Sequence, residues 1–415
     1  MRDVELYRHL LGVEKPWTVK TVALDVKAQR VDVWVEHEEA GKWPCPACDR
    51  MLSLYDHSEE RSWRHLDSCQ FLTFLHARPP RVECPEHGVR QVSLPWTDPR
   101  ARFTALFERL AIDVLLEASV LAATRILRIS WDEAWYLIER AVRRGQLAKR
   151  PGVHARIGVD EKSFAKRQRY FTVVCDVEEG TVEYVEEGRR KASLDRYFRS
   201  LTLEQLRGIE CVAMDMWEPY VQSVREYLPE GDKRIVYDRF HVMGHMNEAL
   251  DRVRRGENRE LLEYELEVLK GTKHLWLYGK ENVPEGQRAR FEELKRLDLK
   301  TGRAWALKEN LRRLWQHFTA RGALAHWKRW FSWAIRSKLG PVIEVARMIE
   351  RRLEGVITNF YAHPITNAVS EGLNSKIQRF KMLACGFRNP EHFRTAIFFH
   401  CGGLQLYPAT HGIPG

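Results

Sequence analysis

Residues 156–187 read RIGVDEKSFAKRQRYFTVVCDVEEGTVEYVEE, and the pattern of this stretch sets the fold class of the chain. Three runs rich in strand-forming residues, RIGVDEKSF (156–164), YFTVVCDV (170–177) and TVEYVEEG (181–188), are strand signals, and the EEG between the last two is a hairpin turn. Downstream, the pattern predicts a helix over about 193–201, the apolar strand ECVAMDM (210–216), a helix over 219–228 and the strand RIVYD (234–238). Strand, hairpin, helix, strand, helix, strand is the order of an α/β domain.

Two acids close strands of this domain: Asp160 ends the first, and Asp215 ends the strand at 210–216. Functional groups in open α/β sheets gather beyond the carboxyl ends of neighbouring strands. Two close carboxylates repel unless they share a proton or bind a cation, and a hard divalent ion accepts such oxygen ligands. For a single strand-end Asp, capping of the next turn or helix is the stronger reading, so a third acid matters. The stretch ITNAVSEGLNSKIQRFKMLACGFRN (365–389) contains one acid, Glu371. At helical spacing Val369, Leu373, Ile377 and Phe380 form an apolar stripe, and Glu371 lies opposite with Asn367, Asn374 and Gln378. A solvated polar face is the ordinary explanation. A Glu among amides and flanked by Lys376, Arg379 and Lys381 also suits a metal-bound carboxylate beside a phosphate backbone.

Two Asp at strand ends, followed much later by a Glu on a helix, is the carboxylate order of a ribonuclease-H-like nucleotidyl transfer fold. Together the three can hold two magnesium ions roughly 4 Å apart, one activating the attacking oxygen and the other stabilising the leaving oxygen. Asp238 reads either as a fourth ligand or as the N-cap of a helix beginning at Phe240. Asp176, in mid-hairpin, reads as structural.

Towards the N-terminus, apolar and polar residues alternate from Trp17 to His37 on both sides of KAQR, the pattern of a half-buried hairpin. CPAC (45–48) and CPEH (84–87) follow. Each is a short pair able to bend around one ion, and together Cys45, Cys48, Cys84 and His87 supply a closed, structural zinc site. His57, His65, Cys69 and His76 lie between the pairs without matching spacing and read as ordinary surface or core residues. Residues 103–145 are helical by periodicity, with LAATRIL and WDEAWYLIERAVRR as two helices joined through Arg128, Ile129 and Ser130, Ser130 being the N-cap. This is the plan of a helix-turn-helix, whose second helix would offer Tyr136, Arg140, Arg143 and Arg144 to bases and phosphates. A helical hairpin with a solvated basic end has the same pattern; the basic linker RRGQLAKRPGVHAR (143–156) favours DNA. From Phe240 to about Pro341 the chain is almost all helical and rich in Trp and Arg. It reads as a helical insertion in which the Trp residues form core rather than stacking platforms.

A net charge of +10 makes the surface attractive to polyanions, nucleic acid above all. No apolar run is long enough to cross a bilayer, and the charged start MRDVELYRHLLGVEKPW has no signal-peptide pattern, so a cytoplasmic, nucleoid-associated protein is expected. Eight cysteines in 415 residues are too sparse for a disulfide scaffold.

The cysteine pairs, PWTDPRARFT, RHLD, the helix-turn-helix, IGVDEKSF, EGRRKASLDRYF, VAMDMWEPY, VYDRFHV and TNAVSEGLNSKIQRFKMLACGFRNPEHFR occur in an order that resembles the ISL-three family of bacterial insertion-sequence transposases, over essentially the whole chain. The resemblance implies a DNA transposase with Asp160, Asp215 and Glu371 as its catalytic triad. It also implies that the zinc region and helix-turn-helix recognise the terminal inverted repeats of the element. The expected fold class is multidomain α+β. An N-terminal β hairpin and zinc-binding domain (1–95) and a helix-turn-helix (96–150) precede a ribonuclease-H-like catalytic domain (151–240 and 351–405) interrupted by an all-helical insertion (241–350). Expected cofactors are magnesium or manganese at the catalytic site and structural zinc. Expected partners are double-stranded end and target DNA, met as a homodimer or higher assembly, with no membrane. Lys376 and Arg379 are expected near DNA. The competing readings are a transposase-derived DNA-binding regulator without catalysis and a nuclease that cuts without joining.

Overall fold

The alternation from Trp17 to His37 folds into an antiparallel hairpin, β1 (Trp17–Asp25) with β2 (Arg30–His37), in the computed structural model, which describes residues 3–38, 41–165, 169–363 and 368–409. A helix, α1 (Asp3–Leu10), precedes it. The region between the cysteine pairs adds β3 (Trp43–Pro44), β4 (Met51–Leu52), β5 (Leu54–His57), β6 (Arg61–Ser68), β7 (Phe71–Ala77), β8 (Pro80–Cys84) and β9 (Gly88–Gln91). They form a four-stranded sheet in the order β1-β2-β7-β6, a two-stranded β3-β4 ribbon and a three-stranded sheet β5-β8-β9. β7 joins β2 in parallel. The inward residues Trp17, Val33, Trp63 and Leu75 make the core of this region. Then follow α2 (Ala105–Glu117), α3 (Val120–Leu127) and α4 (Trp131–Ala148). These elements, with residues 380–385 and 398–409, form the first of two compact units.

The second unit comprises Pro151–Arg379 and Gly386–Ile397. Its sheet contains β10 (Arg156–Ala165), β11 (Arg169–Asp176), β12 (Thr181–Glu187), β13 (Cys211–Met214) and β14 (Ile235–Tyr237), in the order β12-β11-β10-β13-β14. The first three strands are antiparallel; β13 and β14 add in parallel. β11 is flanked on both edges, which is why its run Phe171–Val174 is uniformly apolar or β-branched and buried. Between strands lie α5 (Lys191–Ser200), α6 (Leu203–Gly208), α7 (Glu218–Tyr227) and α8 (Gly231–Arg234). α7 starts with Pro219 in its first turn, where no N–H is needed. Thr202 and Gln205 close a reciprocal cap on α6, a short helix the hydrophobic pattern does not announce.

After β14 the unit is helical: α9 (Arg239–Leu262), α10 (Lys273–Leu277), α11 (Arg288–Arg296), α12 (Lys300–Arg312), α13 (Ala320–Arg336), α14 (Gly340–Glu350) and α15 (Asn359–Ala362). A single apolar core joins sheet residues Ile157, Val212 and Ile235 to Trp276, Trp327, Trp330 and Ile349 of these helices, so most Trp residues here are core, as expected. Trp333 is not: it is 42% exposed. The chain ends with α16 (Ala368–Leu383) and α17 (Pro390–Cys401). The apolar stripe of α16 is real, with Leu373, Ile377 and Phe380 buried. Asn367, assigned to the opposite face, lies outside the described residues.

Asp160 is not the end of its strand. β10 runs five residues further because it stays paired with β11 as far as Ala165. Its parallel partner stops earlier, at Val159 opposite Met214, so Asp160 and Asp215 both follow the last parallel pair. Strand-end geometry is thus kept towards β13 and absent towards β11.

Candidate active site, zinc cluster and helix-turn-helix

One concavity in the second unit is lined by Asp160 and Lys162 of β10, Asp215 after β13, Asp238 and His241 at the start of α9, and Glu371 and Asn374 of α16. The topology explains the convergence. β10, β13 and β14 lie side by side and, being parallel, deliver Asp160, Asp215 and Asp238 at their carboxyl ends. The buried face of α16 holds Leu373 and Ile377, leaving Glu371 exposed on another face.

Asn374 links two distant segments: its Nδ2 donates to Asp160 Oδ2 at 2.9 Å. The same carboxylate meets Lys162 Nζ at 2.6 Å and accepts from the Glu161 N–H at 2.6 Å. Burial pushes the Asp160 carboxyl up, but Lys162, Asn374 and the Glu161 N–H outweigh it and hold it below the usual range. Asp215 Oδ1 accepts from the Met216 N–H at 2.6 Å, and its Oδ2 lies 3.5 Å from His241 Nδ1. Asp238 does cap α9, accepting from the Phe240 N–H at 2.8 Å, and it also faces the concavity. Burial raises its carboxyl; the Phe240 N–H and His241 oppose this, and the like charges of Asp160 and Glu371 add to it. Burial likewise raises Glu161, with Arg189 opposing and Asp160 and Asp215 adding. The site therefore carries an excess of negative charge.

Lys162, His241 and the role of Asn374 escaped the sequence reading. Lys162 had a signal, since residues two apart on a strand share a face. His241 had one too: it sits three residues after Asp238, one helical turn on. Asp176 is structural as expected. It accepts from the N–H groups of Glu178 and Glu179 at 2.7 and 3.0 Å and pairs with His154 Nδ1 at 2.6 Å, which holds the β11–β12 turn.

In the first unit Cys45, Cys48, Cys84 and His87 bring their ligand atoms within 4.8 Å of one another. Cys45 and Cys48 occupy the β3–β4 turn, and Cys84 and His87 the β8–β9 turn. Left-handed backbone at Asp49 and Gly88 bends both turns, and Gly88 adopts it without strain. His87 Nδ1 stands 3.4 Å from Cys84 Sγ and draws that thiol down to about 6, so thiolate is available at neutral pH. Of the four residues between the pairs, His65 is buried against Thr104 Oγ1, His76 meets Asp32 at 2.6 Å, and His57 stacks on His37 with Nε2 atoms 2.7 Å apart. Cys69 is exposed.

The helix-turn-helix geometry is present: Ser119 caps α3, Arg128 takes left-handed backbone at the corner, and Ser130 with Glu133 forms a capping box on α4. The side chains expected at DNA behave differently from one another. Arg140 and Arg144 both pair with Asp98 and with the buried Glu108, and the Tyr136 hydroxyl donates to the Arg100 carbonyl. A buried carboxylate requires such partners, so these three residues are engaged within the unit. Arg143 is exposed, as are Lys376 and Arg379 on α16. Among the described residues no helix is long and apolar enough to cross a membrane.

Comparison with known proteins agrees with this layout. A family model described as a transposase matches residues 157–397. The zinc-finger of transposases IS204/IS1001/IS1096/IS1165 matches 41–87, and the helix-turn-helix domain of transposase family ISL3 matches 92–142. The transposase for insertion sequence element IS1557 of Mycobacterium tuberculosis is 29% identical over 446 residues, covering 100% of this chain and 99% of its own. The transposase for IS1001 of Bordetella parapertussis is 25% identical over 353 residues, covering 84% of this chain and 86% of its own. The zinc-finger match and the three-cysteine, one-histidine cluster together indicate structural zinc, and the helix-turn-helix match indicates DNA binding. The chain belongs to the ISL3 family of insertion-sequence transposases, enzymes that cut and join DNA.

Proposed function

We propose that this transposase cuts and joins DNA at a divalent-metal site held by Asp160, Asp215 and Glu371, within a ribonuclease-H-like domain formed by residues 151–240 and 351–405 and interrupted by a helical insertion at 241–350. The observation that carries this reading is the convergence of the three acids, from three separate segments, on one concavity. The strand order β12-β11-β10-β13-β14, antiparallel then parallel, supports the fold assignment. Hard oxygen donors gathered at one site, where burial and, to a lesser extent, neighbouring carboxylates raise Asp238 and Glu161, fit a hard cation such as magnesium or manganese, and Asp238 is placed to join them.

When bound, such ions activate the attacking oxygen and stabilise the leaving one. The chain's own groups hold the acids in place: Asn374 and Lys162 orient Asp160, and the Met216 N–H orients Asp215. In cleavage a water oxygen attacks phosphorus at the element end, the bond to the 3′ oxygen breaks, and a 3′-hydroxyl is left. In joining, that hydroxyl attacks a target phosphodiester, the new bond replaces the old one, and the displaced target oxygen takes a proton. The zinc domain (1–95) and the helix-turn-helix (96–150) bind the terminal inverted repeats, with Arg143 the exposed base of α4, and Lys376 and Arg379 lie along the phosphates beside Glu371. A homodimer or larger assembly would bring two ends together.

The test is cleavage of a labelled duplex carrying the element's terminal repeat, by wild type and Glu371→Gln, with magnesium or chelator. Magnesium-dependent cuts at the repeat boundary that vanish in the variant, while end binding persists, are expected. Sequence-specific binding without cutting by wild type under any divalent metal would favour a regulator instead.

A further inference from the structure

In the helical part of the second unit, a concavity of about 540 Å³ opens between the end of α12, the turn at Arg313–Gln316 and α13. Its size falls within the roughly 300–1,000 Å³ of small-ligand sites. Its lining contains two arginines, two histidines, two tryptophans and two amides, and no carboxylate.

The two arginines, Arg313 and Arg329, meet no carboxylate among the described residues, whereas the adjacent Arg312 is paired with Glu281 and Glu309. Their field is felt by His326, whose ring is depressed by burial first and then by His317, Arg329 and Arg313. Positive charge without a counter-ion in a concave wall is the chemistry of an anion site. The aromatic part is equally specific. Trp330 is core and fixed by its Nε1 donating to the Leu307 carbonyl at 2.8 Å, but Trp333, one helical turn on, has an exposed face. Phe318, just before α13, is fully exposed. His317 and His326 pack at 5.0 Å, and His326 is held by the Asn310 carbonyl at 3.0 Å. His317 Nε2 is shielded from solvent with no bonding partner among the described residues.

We propose that this concavity receives an unpaired nucleotide of the DNA strand being processed, its phosphate on Arg313 and Arg329 and its base against Trp333, with Gln316 at the base edge. A phosphate beside a flat aromatic ring is what an arginine pair next to an exposed indole recognises, and stacking on aromatic side chains is how proteins hold bases removed from a duplex. A paired duplex cannot offer a base face, so the site distinguishes frayed or single-stranded DNA from intact ends. The inference rests on the reading of the chain as a DNA-processing enzyme.

The experiment compares the full-length protein and Trp333→Ala for binding to a labelled duplex with a short 5′ overhang of thymidines and to the same duplex made blunt. Trp333 is partly exposed, so its loss removes little core. The expected result is a loss of overhang affinity on the order of tenfold in Trp333→Ala, largely restored in Trp333→Phe, with blunt-duplex affinity unchanged. An abasic overhang should lower wild-type affinity to the level of the variant, and Arg329→Ala should weaken binding of overhang and abasic overhang alike. Equal losses on blunt and overhang DNA, or none on either, would overturn the proposal. So would a shift in oligomeric state of Trp333→Ala, which would assign the face to a second copy of the chain, or displacement of the overhang by equimolar thymidine monophosphate, which would assign it to a free nucleotide. Cleavage lost in Glu371→Gln but untouched in Trp333→Ala with unaltered overhang binding would leave the transposase reading standing and this inference refuted.

Discussion

Replacing Asn374 by Ala removes a tie between α16 and β10 at the acidic site, the 2.9 Å hydrogen bond from Asn374 Nδ2 to Asp160 Oδ2. Hydrogen bonds to charged groups contribute roughly 1.5–3 kcal/mol. At about 1.36 kcal/mol per factor of ten, full expression of that loss in the transition state slows cleavage about 10- to 150-fold. Both residues keep some solvent access, so water replaces part of the bond and the lower end, about tenfold, is expected. The assay is single-turnover cleavage of labelled end DNA with enzyme in excess, where binding does not limit the rate. Asn374→Asp should lose more than Asn374→Ala, because a further carboxylate beside Asp160 and Glu371 adds repulsion to a site already rich in negative charge. A wild-type rate in Asn374→Ala would show that Asp160 needs no help from α16. A loss confined to DNA affinity would make Asn374 a DNA contact instead, and either result would refute the positioning role.

Two further outcomes bear on other parts of the molecule. Cys84→Ser, or treatment with a strong chelator, should release zinc and expose the β3–β9 region to protease while reducing end binding, since structural zinc sites contribute folding energy outright; protein isolated without zinc yet resistant to protease would count against the cluster. Asp176 has its carboxyl held low, because the N–H groups of Glu178 and Glu179 and the His154 ring outweigh burial. A group depressed on folding stabilises the protein above its unfolded pKa and loses that contribution as pH falls through the folded value. Asp176→Asn should therefore melt lower than wild type at neutral pH and show a flatter decline on acidification; parallel melting curves across the acid range would contradict the assignment.

What was legible in the sequence was whatever local pattern or chain topology dictates. Runs of strand-forming residues identified β10 to β12, the short spacing within each cysteine pair identified the metal-binding turns, and Ser130 identified the start of α4. Asp160 was misread as a strand end because the antiparallel partner that carries β10 on to Ala165 leaves no mark within β10 itself. Arg140 and Arg144 read as DNA ligands because a basic helix face looks the same whether it meets phosphate or carboxylate. Their partners, Asp98 and Glu108, lie 32 to 46 residues earlier in the chain, and only packing brings them together. Asn374 and Asp160 are 214 residues apart, beyond any local signal.

The contrast between the acids and the bases has a physical cause. Side-by-side parallel strands have few places to end, so an Asp following the apolar residues of β10, β13 and β14 is delivered to the same rim whatever its neighbours are. An arginine on a helix has a long, flexible stem and reaches whichever anion lies within its radius, so its role is decided by the tertiary neighbourhood. Glu371 falls between these cases. Its helix face is fixed by the buried Leu373 and Ile377, but its approach to Asp160 and Asp215 depends on where α16 lies against the sheet. Within the second unit the Asn374 hydrogen bond adds a polar tie between α16 and β10 to the packing of Leu373 and Ile377, so removing the amide, rather than any of the acids, tests how far the site depends on the placement of α16 while all its carboxylates remain present.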